Sequence, residues 1–237
     1  MPAATQNVVH PDEVEPRREG SAEVRTTFHP GNGCKRLEQR IVRFAPGRSD
    51  DRASDGRQEL LYVVSGRGAI EVNGERHPLE ADTGVFVAAG ERYVIDVDDE
   101  LLVVSVFAPA EAEARGGRRT IVRFEDQPEL VASEERRYRY LINQEAGCFD
   151  VTQFVGIVDP SKAPLHSHSY DEVGYIIGGE GIAHVDAEEL PLRAGSCFHL
   201  ASEQVHTIEN SGTTPMRILG VFHPSGSPAS RSHQDNN

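Results

Sequence analysis

Long hydrophobic runs are missing from this chain: no apolar stretch in its 237 residues approaches the ~20 that a membrane helix needs. Basic residues are scarce as well. Lys and Arg number 24 against 38 Asp and Glu, a formal net charge of −14, and Lys35 and Lys162 are the only lysines. Such acidity argues against binding a phosphate backbone, which needs clustered Lys and Arg, and against an anionic membrane surface. Neither nucleic acid nor membrane is therefore expected as a partner. Three cysteines are odd in number and too few for a disulfide framework. Residues 1–19 are polar, hold three prolines and lack a signal-peptide core. A reducing cytoplasm is the compartment these absences favour.

What is present is a succession of short runs rich in Val, Ile and Phe, such as Ile41–Phe44, Leu60–Val64, Val85–Val87, Leu101–Phe107, Val173–Ile177 and Arg217–Phe222. Clusters of Gly, Pro and Asp separate them, the pattern of an all-β sandwich or barrel. Helix is expected only near Pro109–Arg115 and Pro128–Arg136. Residues 1–30 and 225–237 read as weakly ordered tails.

The chain also repeats itself. Gly33-Cys34 and Pro46 recur as Gly147-Cys148 and Pro160 at an offset of 114. Glu59, Gly66, Gly68, Val72 and Ile95 recur as Glu172, Gly179, Gly181, Val185 and Ile208 at 113, and Val106-Phe107 as Val221-Phe222 at 115. The drift corresponds to small length changes in loops. Two copies of one β-domain follow, at 31–110 and 137–224, joined by a linker at 111–136.

Histidines are unevenly placed: six of ten fall between His166 and His223. In a strand, residues two apart share a face, so His166 and His168 can project into one cavity, and Glu172 can join them. His206 opens a later run that can pair nearby. Three neutral imidazoles and one carboxylate suit a borderline divalent ion. Six-coordinate Fe, Mn, Ni or Co would keep two positions open, and four-coordinate Zn would be enclosed.

The stretch Pro164–Gly181, with His166, His168, Glu172 and Gly179, resembles the first motif of the cupin superfamily. Gly195–Asn210, closing on His206 and Asn210, resembles the second, with Ala201 and Glu203 replacing a customary Pro and Gly. The resemblance implies two tandem cupin barrels (double-stranded β-helix, or jelly roll) of six to eight strands each. It also implies one divalent transition metal per chain, held by His166, His168, Glu172 and His206. In the first copy, Ala53 and Asp55 stand where His166 and His168 stand, Tyr93 replaces His206 and Asp82 replaces Gly195. Only Glu59 survives, so that barrel should hold no metal. A metal-free site of Glu59, Asp55, Arg57 and Tyr93 is the alternative.

Other residues admit plainer roles. His184 and His199 are expected to be half-buried strand histidines with backbone partners rather than groups serving the metal. Cys34, Cys148 and Cys197 are expected in the core. Tyr138, Tyr140 and Tyr175 line a cavity or pack its shell. For function, resemblance to quercetinase-like and acireductone-type cupins implies a dioxygenase acting on an enolic or phenolic small molecule, with Glu172 as base. A non-redox isomerase, cyclase, decarboxylase or hydrolase is the alternative, and a non-catalytic binding protein is the third. The chain is expected as a monomer or homodimer.

Overall fold

The computed structural model describes residues 6–54, 56–112 and 117–230. Short strands dominate it, and three short 3-10 turns are the only helical elements among these residues. No helix there is long and apolar enough to cross a membrane.

The duplication is visible in the pairing. In the first seven-stranded sheet the order is Ile121–Arg123, Thr83–Val87, Gln58–Ser65, Leu101–Ala108, Glu38–Phe44, Ala22–Phe28 and Arg17–Glu19. In the second it is Val8–Val9, Cys197–Leu200, Asp171–Gly178, Met216–His223, Thr152–Val158, Arg136–Ile142 and Leu130–Ser133. Each sheet is closed into a barrel by a smaller one, built around Arg67–Val72 and Arg92–Val97 in the first copy and Glu180–Val185 and His206–Asn210 in the second. The result is two tandem jelly-roll barrels.

The repeated glycines mark where the two sheets of a barrel approach. Gly66 and Gly179 have φ of +93° and +91°, the left-handed region. A Cβ at Gly179 would lie 2.8 Å from the Met216 Cα, and one at Gly68 or Gly181 would collide with the carbonyl of Asp96 or Glu209. Each copy therefore requires glycine at the same two places.

The edge strands are exchanged between copies. Val8 and Val9, which precede the first barrel, pair with Phe198 and Cys197 of the second. Ile121–Arg123, which precedes the second barrel, pairs with Thr83–Val85 of the first. A shared core fills the space between the barrels, with Phe28, Leu60, Tyr62 and Val106 of the first copy packed with Leu141, Val155, Val173 and Leu219 of the second. Within it the Gln39 Nε2 donates to the Gly174 carbonyl at 3.1 Å. The first barrel's interior is a separate apolar cluster including Val42, Leu61, Ile70, Val85 and Ile95.

The ends of the copies differ from the sequence expectation. Residues 7–30 are not a loose tail. Ala22, Val24 and Phe28 are buried on the inward and shared faces of a seven-residue strand, and the charges of Glu23 and Arg25 between them disguise its alternation. The span 111–136 is more than a linker, since Ile121–Arg123 and Leu130–Ser133 are strands. Pro128–Arg136 is accordingly a hairpin entry and not a helix. Its Pro and Glu residues conceal a four-residue strand, too short to show a period. Of the Pro109–Arg115 helix expectation, residues 109–112 carry no helix, and 113–116 lie outside the described residues. At the other end, 225–230 lies against the second barrel, with Ser225 Oγ donating to the Phe149 carbonyl at 2.6 Å and the Gly226 N–H to Thr152 Oγ1 at 3.2 Å. Residues 231–237 lie outside the described residues.

Candidate metal centre and its cavity

His166 meets His206 through an isolated antiparallel bridge, with reciprocal N–H to carbonyl bonds of 3.0 and 2.8 Å. That bridge brings the two sequence motifs together. The His166 and His206 ring centroids are 4.6 Å apart, as are those of His168 and His206. Glu172 lies in the strand Asp171–Gly178, and its Oε2 is 3.2 Å from His168 Nε2. All four side chains line one cavity of about 100 Å³.

The hydrogen bonds orient the rings. His166 Nδ1 lies 3.1 Å from the Pro164 carbonyl, His168 Nδ1 2.9 Å from that of Tyr170, and His206 Nδ1 2.8 Å from that of Gln204. A carbonyl oxygen only accepts, so Nδ1 carries the hydrogen in each ring and Nε2 of a neutral ring presents a lone pair. Burial, reinforced by the neighbouring His168, pulls the His206 pKa down to about 4, so that ring is neutral at pH 7. His168 Nε2 is buried and makes no hydrogen bond. It faces the Glu172 carboxylate, and two electron-pair donors at that distance repel unless a cation lies between them. The donor set and the orphaned nitrogen thus fit a divalent ion. Among the described residues no three His, Cys, Asp or Glu donors already stand at ligating spacing, so closing on an ion requires side-chain rotation.

The cavity floor comes from strand register. Phe154 is opposite Gly220, Gly220 opposite Gly174, and Gly174 opposite Phe198. A Cβ on Gly220 would fall on the Phe154 ring, and one on Gly174 on the Phe198 ring. The two glycines let the flanking phenylalanines lie flat across the sheet. The matching row of the first barrel is Arg40, Ser105, Leu61 and Val85, which leaves no such floor. One wall is an aromatic stack. Tyr170 lies between His168, at 3.9 Å, and Phe222, at 4.1 Å.

In the first barrel Glu59 is sealed. It is 1% exposed and accepts hydrogen bonds from Tyr93 at 3.0 Å and Ser105 at 2.6 Å. Arg52 donates to the Tyr93 hydroxyl at 3.3 Å and to Glu19 at 3.0 Å. Arg57 turns away to Glu38 at 2.8 Å and over the Phe107 ring, so it does not join Glu59 and Tyr93 in a site. Asp55 lies outside the described residues. Asp82 keeps the left-handed turn of its counterpart Gly195, with φ +63° against +91°.

The other histidines among the described residues, and the cysteines, stand outside the cavity. His184 is on the outer face of its sheet, 2.7 Å from Glu209 Oε2, so its partner is a side chain where a backbone group was expected. His199 is fully buried between the copies, beside Phe28 and 3.5 Å from Asp171 Oδ1. The three cysteines are buried, and burial pushes each thiol up to about 12, away from nucleophilic use. Tyr138 lines the cavity, Tyr140 packs behind it and Tyr175 belongs to the shared core. Sequence reasoning missed Phe154, Tyr170, Phe198, Phe222 and Arg136. Counting parity back from Glu172 finds Tyr170, whereas Phe222, which lies opposite Glu172, and the pairing of phenylalanines with glycines need the register.

Comparison with known proteins agrees with this architecture. The family model described as the cupin domain matches residues 40–107 and again 155–222. The oxalate-binding protein of Thermotoga maritima is 37% identical over 63 residues, 26% of this chain and 52% of that protein. The polyketide synthase CurC of Streptomyces cyaneus is 31% identical over 88 residues, 36% of this chain and 57% of that protein. The chain spans about half the length of the curated relatives it matches. Among solved structures, oxalate decarboxylase of Bacillus subtilis superposes with a TM-score of 0.76 at 14% identity, covering 93% of this chain and 78% of that one. The protein Ylba of E. coli gives 0.76 at 14%, covering 93% and 91%. These two likenesses concern the fold. With a cupin-domain match on each of two barrels, the chain belongs to the cupin family as a two-barrel member.

Proposed function

We propose that the second barrel binds one divalent transition metal ion through His166, His168, Glu172 and His206, and that the protein is a metal-dependent enzyme acting on a small organic molecule. The observation that carries this reading is the set of three imidazoles, each held at Nδ1 by a backbone carbonyl. The buried Nε2 of His168 faces the Glu172 carboxylate with no donor of its own. An ion bound there supplies Lewis acidity and open coordination positions.

The chain's own residues limit the substrate. A cavity of about 100 Å³ admits a small molecule. The flat rings of Phe154, Tyr170 and Phe198 favour one with an unsaturated, planar body. Glu172 is the only anion of the four, so it is the group able to accept a substrate proton, a service typically worth ~10²–10⁴-fold in rate. We read the reaction as oxygenation of an enolic or phenolic substrate. A second reading, non-redox decarboxylation, is supported by the relative named for binding oxalate and by the fold shared with oxalate decarboxylase.

One experiment tests both levels. Elemental analysis of the protein as isolated should find about one transition metal per chain, and His168→Ala should lose most of it. Full metal retention in His168→Ala together with His206→Ala would overturn the site. Enolic, phenolic and small carboxylic acids are then screened for oxygen uptake and carbon dioxide release, in air and under nitrogen. Turnover that stops under nitrogen supports oxygenation. Carbon dioxide release at an equal rate in both supports decarboxylation.

A further inference from the structure

Glu203, in the turn that leads into His206, sits in the left-handed region with φ +65°. A residue with a Cβ adopts that conformation only at a cost. The first barrel has the same turn at the repeat offset of 113. Ala88 to Glu91 match Ala201 to Gln204, with Tyr93 where His206 stands. There the left-handed position is Gly90, with φ +82°, and glycine takes it freely. Both turns are latched alike: the Ala88 N–H donates to Glu91 Oε2 at 2.8 Å, and the Ala201 N–H to Gln204 Oε1 at 3.1 Å. The second turn thus keeps its shape without the glycine, and its surroundings must hold it.

The holding contact comes from the strand exchanged between the copies. Asn7, 8% exposed, adjoins Val8–Val9. Its Nδ2 donates to Gln204 Oε1 at 3.0 Å and to the His199 carbonyl at 2.8 Å, and its own carbonyl accepts from the His199 N–H at 2.9 Å. In the first barrel the matching side chain, Glu91, is ion-paired with Arg118, from the segment that precedes the second barrel. Each copy's turn is therefore held by chain that precedes the other copy. The turn in the second copy touches two of the histidines directly. The Gln204 carbonyl accepts from His206 Nδ1 at 2.8 Å, and the Glu203 N–H donates to the His168 carbonyl at 2.7 Å. Groups that hold a histidine's far nitrogen set the direction of the other one.

We propose that Asn7 is a positioning residue for His206. Through Gln204 it holds a strained turn in place, and the turn's carbonyl fixes the imidazole that faces the cavity. The consequence for metal binding rests on the reading above. Because the strain lies at Glu203, glycine there should make Asn7 dispensable.

The test compares the parent full chain with Asn7→Ala, Glu203→Gly and the two combined. Hydrogen–deuterium exchange over residues 201–206 is measured on metal-free protein, and cobalt(II) affinity by titration. Asn7→Ala should speed exchange in that segment and weaken cobalt binding, each by about tenfold or more. Adding Glu203→Gly should restore both to near the parent, a rescue that a general loss of packing would not show. Val9→Ala, which trims the same strand where it enters the shared core, should lower the melting temperature and leave cobalt affinity within about twofold. If Asn7→Ala does not fold, Gln204→Ala cuts the same contact from its other end and should give the same two losses. Unchanged exchange in the variants, losses that Glu203→Gly does not restore, or an equal cobalt loss in Val9→Ala would overturn the proposal. A parent that binds no cobalt overturns the metal reading, and the positioning role then stands or falls on the exchange and its rescue. A parent that binds cobalt, with affinity indifferent to Asn7→Ala, overturns the positioning role and leaves the metal site.

Discussion

At the scale of single residues, the two barrels show one carboxylate put to two uses. Glu172 faces a cavity and the His168 Nε2, which makes no hydrogen bond, whereas Glu59 is closed in by Tyr93 and Ser105. Burial raises the Glu59 pKa even against those hydrogen bonds, so a missing donor there is costly. Tyr93→Phe should lower stability by about 1–3 kcal/mol, read from denaturant unfolding, while metal content stays unchanged. A metal loss comparable to that of His168→Ala would place the ion in the wrong barrel. Glu38 gives a pH dependence. Burial opposes its ionisation, but Arg57 and Arg40 outweigh burial and hold the carboxyl below its ordinary value of 4.5. A depressed folded-state pKa contributes stability that is present above the ordinary value and lost as pH falls below it. Melting temperature should therefore fall more steeply below about pH 4.5 in the parent than in Glu38→Gln; parallel curves would refute the assignment.

At the scale of elements, register decides what each barrel can hold. The row Phe154, Gly220, Gly174, Phe198 lays two rings across two glycines. A methyl group at Gly220 would strike Phe154 and come within 3.1 Å of Glu172 Oε1. Gly220→Ala should cost about 1–3 kcal/mol as an overpacked site and lower metal occupancy, measured on the same purified sample. At Gly156 the nearest atom to a new Cβ is 3.6 Å away, ordinary contact, so Gly156→Ala should be neutral or slightly stabilising. Equal losses at both positions would mean that the floor is not built this way. These elements also show how far the sequence could be read. The repeat was legible because Gly66, Gly68, Gly179 and Gly181 meet backbone that admits no side chain. Spacing put His166, His168 and Glu172 on one face, whereas the joining of His206 to them was legible only through the likeness to the second cupin motif. Val8–Val9 and Leu130–Ser133 were not, since strands of two and four residues have no period to detect. The contrast of Ser105 with Gly220 becomes meaningful only once both are known to oppose a glutamate-bearing strand.

At the scale of the whole molecule, the barrels share a core that neither could bury alone. Phe28, Leu60 and Tyr62 pack with Leu141, Val173 and Leu219, and Arg217 of the second copy binds Asp82 of the first at 2.9 Å. Each such side chain is worth roughly 1.5–3 kcal/mol when fully removed from water. We expect one cooperative transition in scanning calorimetry, with added metal raising it as a unit although the proposed ligands all lie in the second barrel. Two resolved transitions, only one of them moved by metal, would show the barrels to be independent.

The exchange of edge strands bears on the order in which the chain is completed during synthesis. Val8–Val9 leaves the ribosome long before Cys197 and Phe198, the residues it pairs with, whereas Thr83–Val85 waits only for Ile121–Arg123. The first barrel can therefore finish its sheet while translation continues, with its leading strand still unmatched. The second barrel then closes against a neighbour whose own strands can already be paired and a strand already waiting, and the shared core is completed only at that point. The barrel that carries most of the histidines assembles after the first, and a nascent chain would acquire its ligand cavity only once the strand ending at His223, which pairs with Asp171, has emerged.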